Sequence, residues 1–203
     1  MDPKALFKIT YGLYLLTTRQ QGEDNGCIIN TVMQIAEEPD RLAVAVSKRN
    51  LSCSMLQKTG AFNISTLTTK ADLALFRRFG MQSGRDADKF AGFAPVERTE
   101  NGIYRLTEMT NAFLSGRVVD QLDLGTHILF VAEVVDGQVL SGEEPCTYSY
   151  YQENIKPKPA PAEKKGWVCE VCGYVYEGGE PPEGYVCPVC QHGREVFRPV
   201  GEV

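Results

Sequence analysis

The chain has 203 residues, of which 43% are hydrophobic and 23% are charged, and its formal net charge at pH 7 is -5. This composition is typical of a soluble globular protein and excludes collagen-like and disordered chains. No segment approaches the roughly 20 apolar residues of a membrane-spanning helix, and the acidic balance without a basic stripe argues against nucleic acid as a partner. The first twenty residues also lack the basic start of a signal peptide. We therefore expect a cytoplasmic protein whose cysteines stay reduced.

Most of the predicted elements are strands. Runs of β-branched or aromatic residues bounded by Gly, Asn, Asp or Pro predict strands at residues 8–19, 27–35, 41–48, 61–67, 113–121 and 126–135. Helices are predicted at 51–58, ending at Gly60, and at 70–79, with Leu73, Phe76 and Arg77 on one face. Because strands and helices do not alternate regularly, we predict a mainly β fold, an antiparallel Greek-key barrel rather than a doubly wound sheet.

Residues 154–165 have the composition of a linker. Prolines occupy positions 157, 159 and 161, and such a segment favours an extended polyproline conformation that acts as a semi-rigid tether. We therefore predict a barrel domain at 1–153, this linker, and a small domain at 166–203. The small domain carries 2 basic and 6 acidic residues, which favours weak docking to a partner with a basic patch.

The small domain contains four cysteines in two pairs. Cys169 and Cys172 are separated by two residues, fourteen residues follow, and Cys187 and Cys190 repeat the spacing. Two tight turns of this kind close a tetrahedron of thiolates around one metal ion, and the spacing alone leaves zinc and iron open. His192 follows a complete ligand set, so we expect it to lie exposed in a loop.

The residues around the cysteines narrow this choice. Cys172-Gly173-Tyr174 and Cys187-Pro188, flanked by Trp167, Tyr176 and Phe197, resemble rubredoxin, in the shortened form found at the end of rubrerythrins. The resemblance covers residues 166–198 and implies a single iron held by four cysteines, used for electron transport. Gln191 departs from the family, which usually has glycine there.

The barrel sequence has no G-x-G-x-x-G fingerprint, no phosphate-binding P-loop and no G-x-S-x-G elbow. Polar residues instead cluster at 25–34, 47–52 and 125–134. The second cluster precedes a predicted helix, whose free N–H groups attract anions. A solvated turn is the alternative interpretation of the same residues.

In this order, the three clusters resemble the flavin reductase-like family of split β-barrels, which are homodimers that bind FMN near the subunit interface. The match continues in Ser83-Gly84-Arg85-Asp86 and in the tyrosines at 148–151. It implies that the FMN contacts come from Cys27, Ile28, Ile29, Asn30, Thr31, Ser47, Lys48, Arg49, Asn50, Ser52, Ser83, Arg85 and Tyr151. The Gly125-Thr126-His127 segment resembles the Gly-Asp-His signature of the family, which implies a catalytic role for His127 in receiving the nicotinamide. Core packing is the alternative role for Cys27.

Both modules together resemble the high-molecular-weight rubredoxins. That resemblance implies an NAD(P)H:rubredoxin oxidoreductase that takes hydride from NAD(P)H onto FMN and passes single electrons to its own Fe(Cys)4 centre. A flavodiiron protein that reduces nitric oxide or oxygen is the implied redox partner. Two alternatives remain: a reductase that releases reduced FMN to an oxygenase and carries a structural zinc tail, and a non-enzymatic binding module stabilised by zinc. The sequence leaves NADH against NADPH and the final acceptor open.

Overall fold

The computed structural model describes residue 5, residues 8–157 and residues 166–200. The chain divides into two compact units, which we call the N-terminal unit (Met1–Tyr151) and the C-terminal unit (Gln152–Val203). Among the described residues, no helix has both the length and the apolar character needed to cross a membrane.

The N-terminal unit is built mainly from strands. Its elements are β1 Tyr14–Gln20, β2 Glu23–Ile29, β3 Val32–Glu37, β4 Asp40–Ser47, α1 Leu51–Thr59, β5 Ala61–Leu67, α2 Leu73–Gly80, β6 Val96–Arg98, β7 Tyr104–Leu106, β8 Thr110–Asp123, β9 His127–Val139 and α3 Tyr148–Tyr150. A π-helical turn, Tyr151–Ile155, continues α3.

Seven of these strands form one sheet in the order β2-β1-β5-β8-β9-β4-β3, and each neighbouring pair is antiparallel. The two edge strands, β2 and β3, follow each other in the chain with only residues 30–31 between them. The three steps from Ile29 to Val32 span at most about 10 Å, so the sheet has to curl until its edges approach each other. This confirms the predicted mainly β, antiparallel barrel.

The interior of the barrel is apolar. Its cluster of buried side chains draws on β1, β2, β4, β5, β9 and α1, with Leu16, Val44, Phe62, Ile64 and Phe130 fully enclosed. Gly116 on β8 faces the Phe62 ring, and a Cβ there would lie 2.2 Å from the ring carbon Cζ. The sequence therefore needs glycine at this point to let a large aromatic ring fill the core.

Several predicted boundaries in the N-terminal unit are wrong. The strand predicted at 27–35 is interrupted at residues 30–31 and becomes β2 and β3, and the strand predicted at 8–19 begins only at Tyr14. The helix predicted at 70–79 begins at Leu73, because the Asp72 side chain accepts a hydrogen bond from the Leu75 N–H (2.9 Å) and caps it.

The face predicted for the same helix is also wrong. The buried side chains of α2 are Leu75, Phe76 and Phe79, whereas Arg77 is exposed. In contrast, α1 ends as expected at Gly60, which adopts a left-handed φ of 67°.

The C-terminal unit contains a small antiparallel sheet in the order β11-β10-β12. Its strands are β10 Gly166–Cys169, β11 Val175–Glu177 and β12 Phe197–Pro199, and a short 3-10 helix, Arg194–Val196, precedes β12. The first two residues of the predicted linker, 154 and 155, lie in the π-helical turn and are not extended. The later part of that linker, residues 158–165 with Pro159 and Pro161, lies outside the described residues, so the domain limits stay a prediction.

Candidate functional site

The four predicted metal ligands meet in the C-terminal unit. The Sγ atoms of Cys169, Cys172, Cys187 and Cys190 all lie within 4.8 Å of one another. Cys169 and Cys190 are 3.5 Å apart at sulfur, as are Cys172 and Cys187. These separations are far longer than a disulfide bond of about 2.05 Å, and all four thiols are free. A tetrahedral metal with metal–sulfur bonds of about 2.3 Å would place the sulfurs about 3.8 Å apart, so the arrangement fits one metal ion.

Two turns with the same hydrogen bonds hold these cysteines. In the first, Cys169 N–H donates to the Tyr174 carbonyl and Gly173 N–H donates to the Cys169 carbonyl, both at 2.8 Å. In the second, Cys187 N–H donates to the His192 carbonyl (2.8 Å) and Gln191 N–H to the Cys187 carbonyl (2.9 Å). The sequence spacing therefore produces a pair of matching knuckles, each contributing two sulfurs.

The residue after each pair has a left-handed backbone. Gly173 has φ 77° and Gln191 has φ 61°, a region that glycine adopts without the strain other residues incur. This left-handed φ explains why the rubredoxin pattern usually has glycine at the position that Gln191 occupies here. His192 is exposed, with Nδ1 3.1 Å from the Cys190 carbonyl oxygen, as expected for a loop histidine.

The sulfurs also share protons. Hydrogen bonds with Cys172 and Cys190 lower the pKa of Cys169, whereas hydrogen bonds with Cys169 and Cys190 raise the pKa of Cys172. The hydrogen bond with Cys169 raises the pKa of Cys190 to about 12. Because metals bind the thiolate form, metal binding has to release these protons.

Aromatic rings surround the four sulfurs. Phe197 is fully buried beside Cys169 and Cys187, and Trp167 and Tyr176 pack against the same cluster. Tyr185, which sequence reasoning did not single out, lies between them, with its ring 4.7 Å from that of Tyr176 and 5.5 Å from that of Phe197. These rings limit the access of water to the sulfurs.

A second group of predicted site residues meets in the N-terminal unit, where β4 leads into α1. Ser47, the last residue of β4, pairs in register with His127, the first residue of β9. The adjacent Lys48 N–H donates to the Thr126 carbonyl (3.0 Å). The barrel thus places His127 beside the turn at 47–50, although 80 positions separate it from Ser47 in the chain.

The loop at 83–85 lies against this turn. Arg85 Nη1 donates to the Arg49 carbonyl (2.6 Å), and the Ser83 hydroxyl accepts from the Arg85 N–H (3.1 Å). Asn25 Nδ2, on β2, donates to Ser52 Oγ in the first turn of α1 (2.9 Å). The structure therefore brings four predicted residues, Arg49, Ser52, Ser83 and Arg85, to the N-terminus of α1.

This arrangement favours an anion. The N-cap of α1, Asn50, makes no side-chain capping bond, and the first N–H groups of any helix lack intrahelical partners and attract negative charge. Arg49 and Arg85 are both exposed. Lys48 instead pairs with Asp123 (2.7 Å), whose pKa that bond lowers.

The remaining predicted contacts occupy different environments. Cys27 and Ile29 belong to the barrel core, and burial raises the pKa of the Cys27 thiol. Ile28 lies close to Gly80 at the end of α2.

At the break between β2 and β3, Thr31 is exposed and its hydroxyl donates to Asn30 Oδ1 (3.0 Å). Tyr151 is buried and packs against Phe76 of α2, with 4.5 Å between ring centroids. A direct role for these residues stays a prediction.

A cleft of about 700 Å³ borders the same turn. It shares Arg85 and Gly84 with the group above and adds Asp24, Met55, Phe90 and Tyr104. Its volume lies in the range of small-molecule pockets, about 300 to 1,000 Å³. No local sequence signal pointed to Tyr104, which lies in the β6–β7 ribbon.

Models of two protein families match the parts of the chain in which these two sites lie. The model of the flavin reductase-like domain matches residues 6–158. The chain belongs to the flavin reductase-like family. A second model, the rubredoxin-like domain of rubrerythrin, matches residues 167–198, which include all four cysteines. Both predicted resemblances are thus confirmed.

Individual relatives agree with this assignment. A high molecular weight rubredoxin of Moorella thermoacetica is 35% identical over 230 aligned positions that cover 98% of this chain and all of the relative. A ferric-chelate reductase (NAD(P)H) of Archaeoglobus fulgidus is 36% identical and covers 78% of this chain and 93% of its own length. The fold of the N-terminal unit matches an NADH:FAD oxidoreductase of Streptomyces globisporus with a TM-score of 0.66, at 19% identity and over 72% of this chain and 86% of that one.

Together these findings establish the class of the protein. It is an oxidoreductase with a flavin-binding fold and a rubredoxin-like four-cysteine site on one polypeptide.

Proposed function

We propose that the protein is a flavin-dependent NAD(P)H:rubredoxin oxidoreductase whose first acceptor is its own four-cysteine centre. One observation carries the proposal. A flavin reductase-like barrel and a complete tetrahedral thiolate site occupy the same chain, in the order found in a relative named high molecular weight rubredoxin that the chain matches along its whole length.

The electron count gives each module a role. A dinucleotide delivers a hydride, which carries two electrons, whereas a single iron accepts one, and a bound flavin supplies the conversion between the two. One dinucleotide therefore serves two iron centres and releases one proton. A rubredoxin-like module without a flavin partner could not draw on NAD(P)H directly.

Within the N-terminal unit, the turn at 47–50 and the N-terminus of α1 are the proposed phosphate site. Arg49 and Arg85 supply positive charge there, and the buried Ser52 contributes its main-chain N–H because the N–H groups in the first turn of α1 lack intrahelical partners. Thr31 and Asn30, at the break between β2 and β3, are proposed to contact the remainder of FMN. His127, opposite Ser47, is proposed to contact the nicotinamide.

Within the C-terminal unit, Cys169, Cys172, Cys187 and Cys190 are proposed to hold one iron. The proposal rests on the sulfur separations and on the aromatic shell, because excluding water favours electron exchange over loss of the metal. The acidic composition of residues 166–203, which carry 2 basic and 6 acidic residues, supports an external partner of basic character. A flavodiiron protein is our proposed partner.

We further propose a homodimer. The β8–β9 turn exposes Leu122 and Leu124, at 57% and 52% of their surface, directly beside Lys48 and His127, and the edge strand β3 exposes Met33 at 63%. Apolar side chains next to a polar site are typical of a covered surface. Light scattering after Leu122→Glu tests this, since the substitution should yield monomers, whereas Val139→Glu, at a more exposed position (78%) of the same hairpin, should not.

A visible spectrum of the purified protein, taken before and after anaerobic addition of NADH or NADPH, tests the central proposal. We expect flavin and ferric-thiolate absorption to be present and both to bleach. Mass spectrometry of the extracted flavin distinguishes FMN from FAD. A colourless protein containing zinc would contradict the iron, and bleaching of the flavin bands alone would contradict electron transfer to it and favour release of reduced flavin.

Cys172→Ser separates the two modules. This variant should lose iron absorption and turnover with an external protein acceptor, while its flavin is still reduced at the parent rate. Val189→Ser, which changes an exposed neighbour of Cys190 and leaves all four thiols, serves as the matched control. Normal turnover of the protein acceptor by Cys172→Ser would show that the four-cysteine centre is not on the route.

A further inference from the structure

Lys156 lies against the four-cysteine site although it comes from the segment that precedes the small domain in the chain. Its Nζ donates to the carbonyl oxygen of Glu170, the residue after the ligand Cys169. The following residue, Pro157, faces the other end of the same knuckle, since a Cβ added at Gly173 would lie 3.3 Å from the Pro157 carbonyl oxygen. Residues 156–157 therefore pack onto the first knuckle and do not extend away from it.

The ammonium group is held in a partly dry environment. Lys156 is half-buried. Burial lowers the pKa of its ammonium, and electrostatic attraction by Cys169, Cys172, Cys190 and Glu170 acts in the opposite direction. The hydrogen bond to the Glu170 carbonyl holds this ammonium beside the residue that follows the ligand Cys169.

Other basic residues of the C-terminal unit have carboxylate partners. Among the residues that the structure describes there, Arg194 pairs with Glu180 (3.3 Å) and Arg198 with Glu170 (3.6 Å). Lys156 Nζ instead donates to the backbone carbonyl of Glu170, whose carboxylate pairs with Arg198 and also attracts the ammonium. The hydrogen bond fixes the positive charge of Lys156 beside the first knuckle.

Such a charge acts on the two oxidation states unequally. Four thiolates with ferric iron carry one net negative charge, and one-electron reduction adds a second. A nearby cation stabilises the more negative state more strongly, and partial burial preserves the effect against screening by salt.

We propose that Lys156 is a positioning residue for electron transfer, whose fixed charge raises the reduction potential of the four-cysteine centre and so favours its loading from the flavin. The inference rests on the proposed function, because it requires iron at that centre. It assigns to the segment before the small domain an electrostatic task in addition to connecting the two units.

Anaerobic spectroelectrochemical titration of the full-length protein tests this, with the ferric-thiolate absorption as the readout. Lys156→Met keeps most of the aliphatic stem and removes the charge. We expect it to lower the equilibrium constant for iron reduction about tenfold, which corresponds to about 59 mV for one electron. Lys156→Arg should stay near the parent value, and Lys156→Glu should shift further than Lys156→Met in the same direction.

Lys58→Met is the matched control, because it removes an exposed lysine at the end of α1 and changes the net charge equally. It should leave the potential unchanged. An unchanged potential in both Lys156→Met and Lys156→Gln, with intact iron spectra, overturns the inference while leaving the proposed function in place. Loss of iron from both uncharged variants also overturns it, because Lys156 would then be a structural support. A parent protein that takes up no iron overturns both proposals.

Discussion

The two units bury very different cores. The cluster of buried side chains inside the barrel of the N-terminal unit contains thirteen residues from six elements, most of them large and apolar. The cluster around the four sulfurs of the C-terminal unit contains three buried residues, Cys169, Cys187 and Phe197, two of which are proposed metal ligands. The first unit can fold on hydrophobic burial alone. The predicted small domain within the second unit, residues 166–203, has too little apolar surface, because domains below about 40 residues usually need a metal or disulfides.

The two units also differ in whether the residues of the proposed site are the residues that stabilise the fold. In the barrel, the polar residues of the proposed phosphate site lie at strand ends and loops outside the core. In the C-terminal unit, the proposed chemistry and the core are the same atoms. A substitution at one of the four cysteines should therefore alter folding and function together. A substitution in the barrel can impair one of these two properties and leave the other intact.

Metal removal should have the largest effect. The free energy of a structural metal in small thiolate domains is about 10 to 16 kcal/mol, so a strong chelator should unfold the C-terminal unit and leave the barrel intact. Trp167 is the only tryptophan and lies in β10, so its fluorescence reports on the C-terminal unit alone. With zinc loaded in place of iron to avoid quenching, chelation should shift Trp167 emission to that of an exposed indole.

Far-ultraviolet circular dichroism should change little in the same experiment, because most strands belong to the barrel. Cys146→Ser, which removes a buried thiol of the N-terminal unit, should give the same chelator titration as the parent. Retention of the native Trp167 emission after complete metal removal would show that the small unit folds without a metal.

Phe62→Ala tests the other side of the comparison. Phe62 is fully buried against Gly116, and removing a buried phenylalanine costs about 3 to 5 kcal/mol. Urea unfolding followed by circular dichroism should show that loss for the barrel, with Trp167 emission unaffected in the absence of denaturant. Val139→Ala, at a side chain 78% exposed, should change stability by less than about 0.5 kcal/mol. A Trp167 transition that moved with the barrel would mean that the two units unfold as one.

Sequence spacing alone indicated the cluster of four cysteines, whereas the residues of the proposed flavin site were indicated mainly by a family resemblance. The four ligands lie on two local turns, so their spacing of two residues already encodes the geometry of each pair. The turn at 47–50 is equally local, and its role as a phosphate site stays a prediction. His127 reaches that turn through strand pairing, and the loop at 83–85 reaches it through a hydrogen bond from Arg85. Short sequence segments do not encode such long-range contacts.

The errors in the barrel have the same origin. The apolar run at 27–35 reads as one strand, because only the polar pair Asn30-Thr31 marks the point where the chain passes from one sheet edge to the other. In α2, the pattern suggested a face containing Arg77, whereas the structure buries Phe79 and exposes Arg77. Lys156 fell in a segment whose prolines indicated an extended tether, and its contact with Glu170 had no sequence signal.

Lys89→Met should have a smaller effect, again confined to the barrel. The lysine is only 4% exposed, and its Nζ donates to the carbonyl oxygens of Gly26 (2.9 Å) and Phe79 (3.3 Å). Methionine fits the space but leaves both carbonyls without this donor, which costs about 1 to 3 kcal/mol. Urea unfolding measures the loss, with Lys58→Met as the exposed control. An unchanged midpoint would show that the two bonds contribute nothing.

The same variant has a predicted pH signature. Burial lowers the pKa of Lys89 in the folded protein below its ordinary value of 10.5. At pH values between the folded-state pKa of Lys89 and 10.5, the unfolded chain binds more protons than the folded protein does. The free energy of unfolding of the parent therefore rises with pH in that window. Lys89→Met lacks this contribution, and its deficit relative to the parent should therefore grow as the pH rises toward 10.5.

Asp72→Ala should give the smallest effect. The Asp72 carboxylate caps α2 through the Leu75 N–H, and loss of such a cap costs about 1 kcal/mol. Because Leu75, Phe76 and Phe79 anchor α2 in the N-terminal unit, the loss should appear in the urea midpoint of the barrel and leave the chelator titration of Trp167 unchanged. Asp72→Asn, which retains a capping oxygen, should recover most of the stability. If Asp72→Asn were as destabilised as Asp72→Ala, the carboxylate charge near the helix dipole, and not the capping bond, would be the source of the stabilisation.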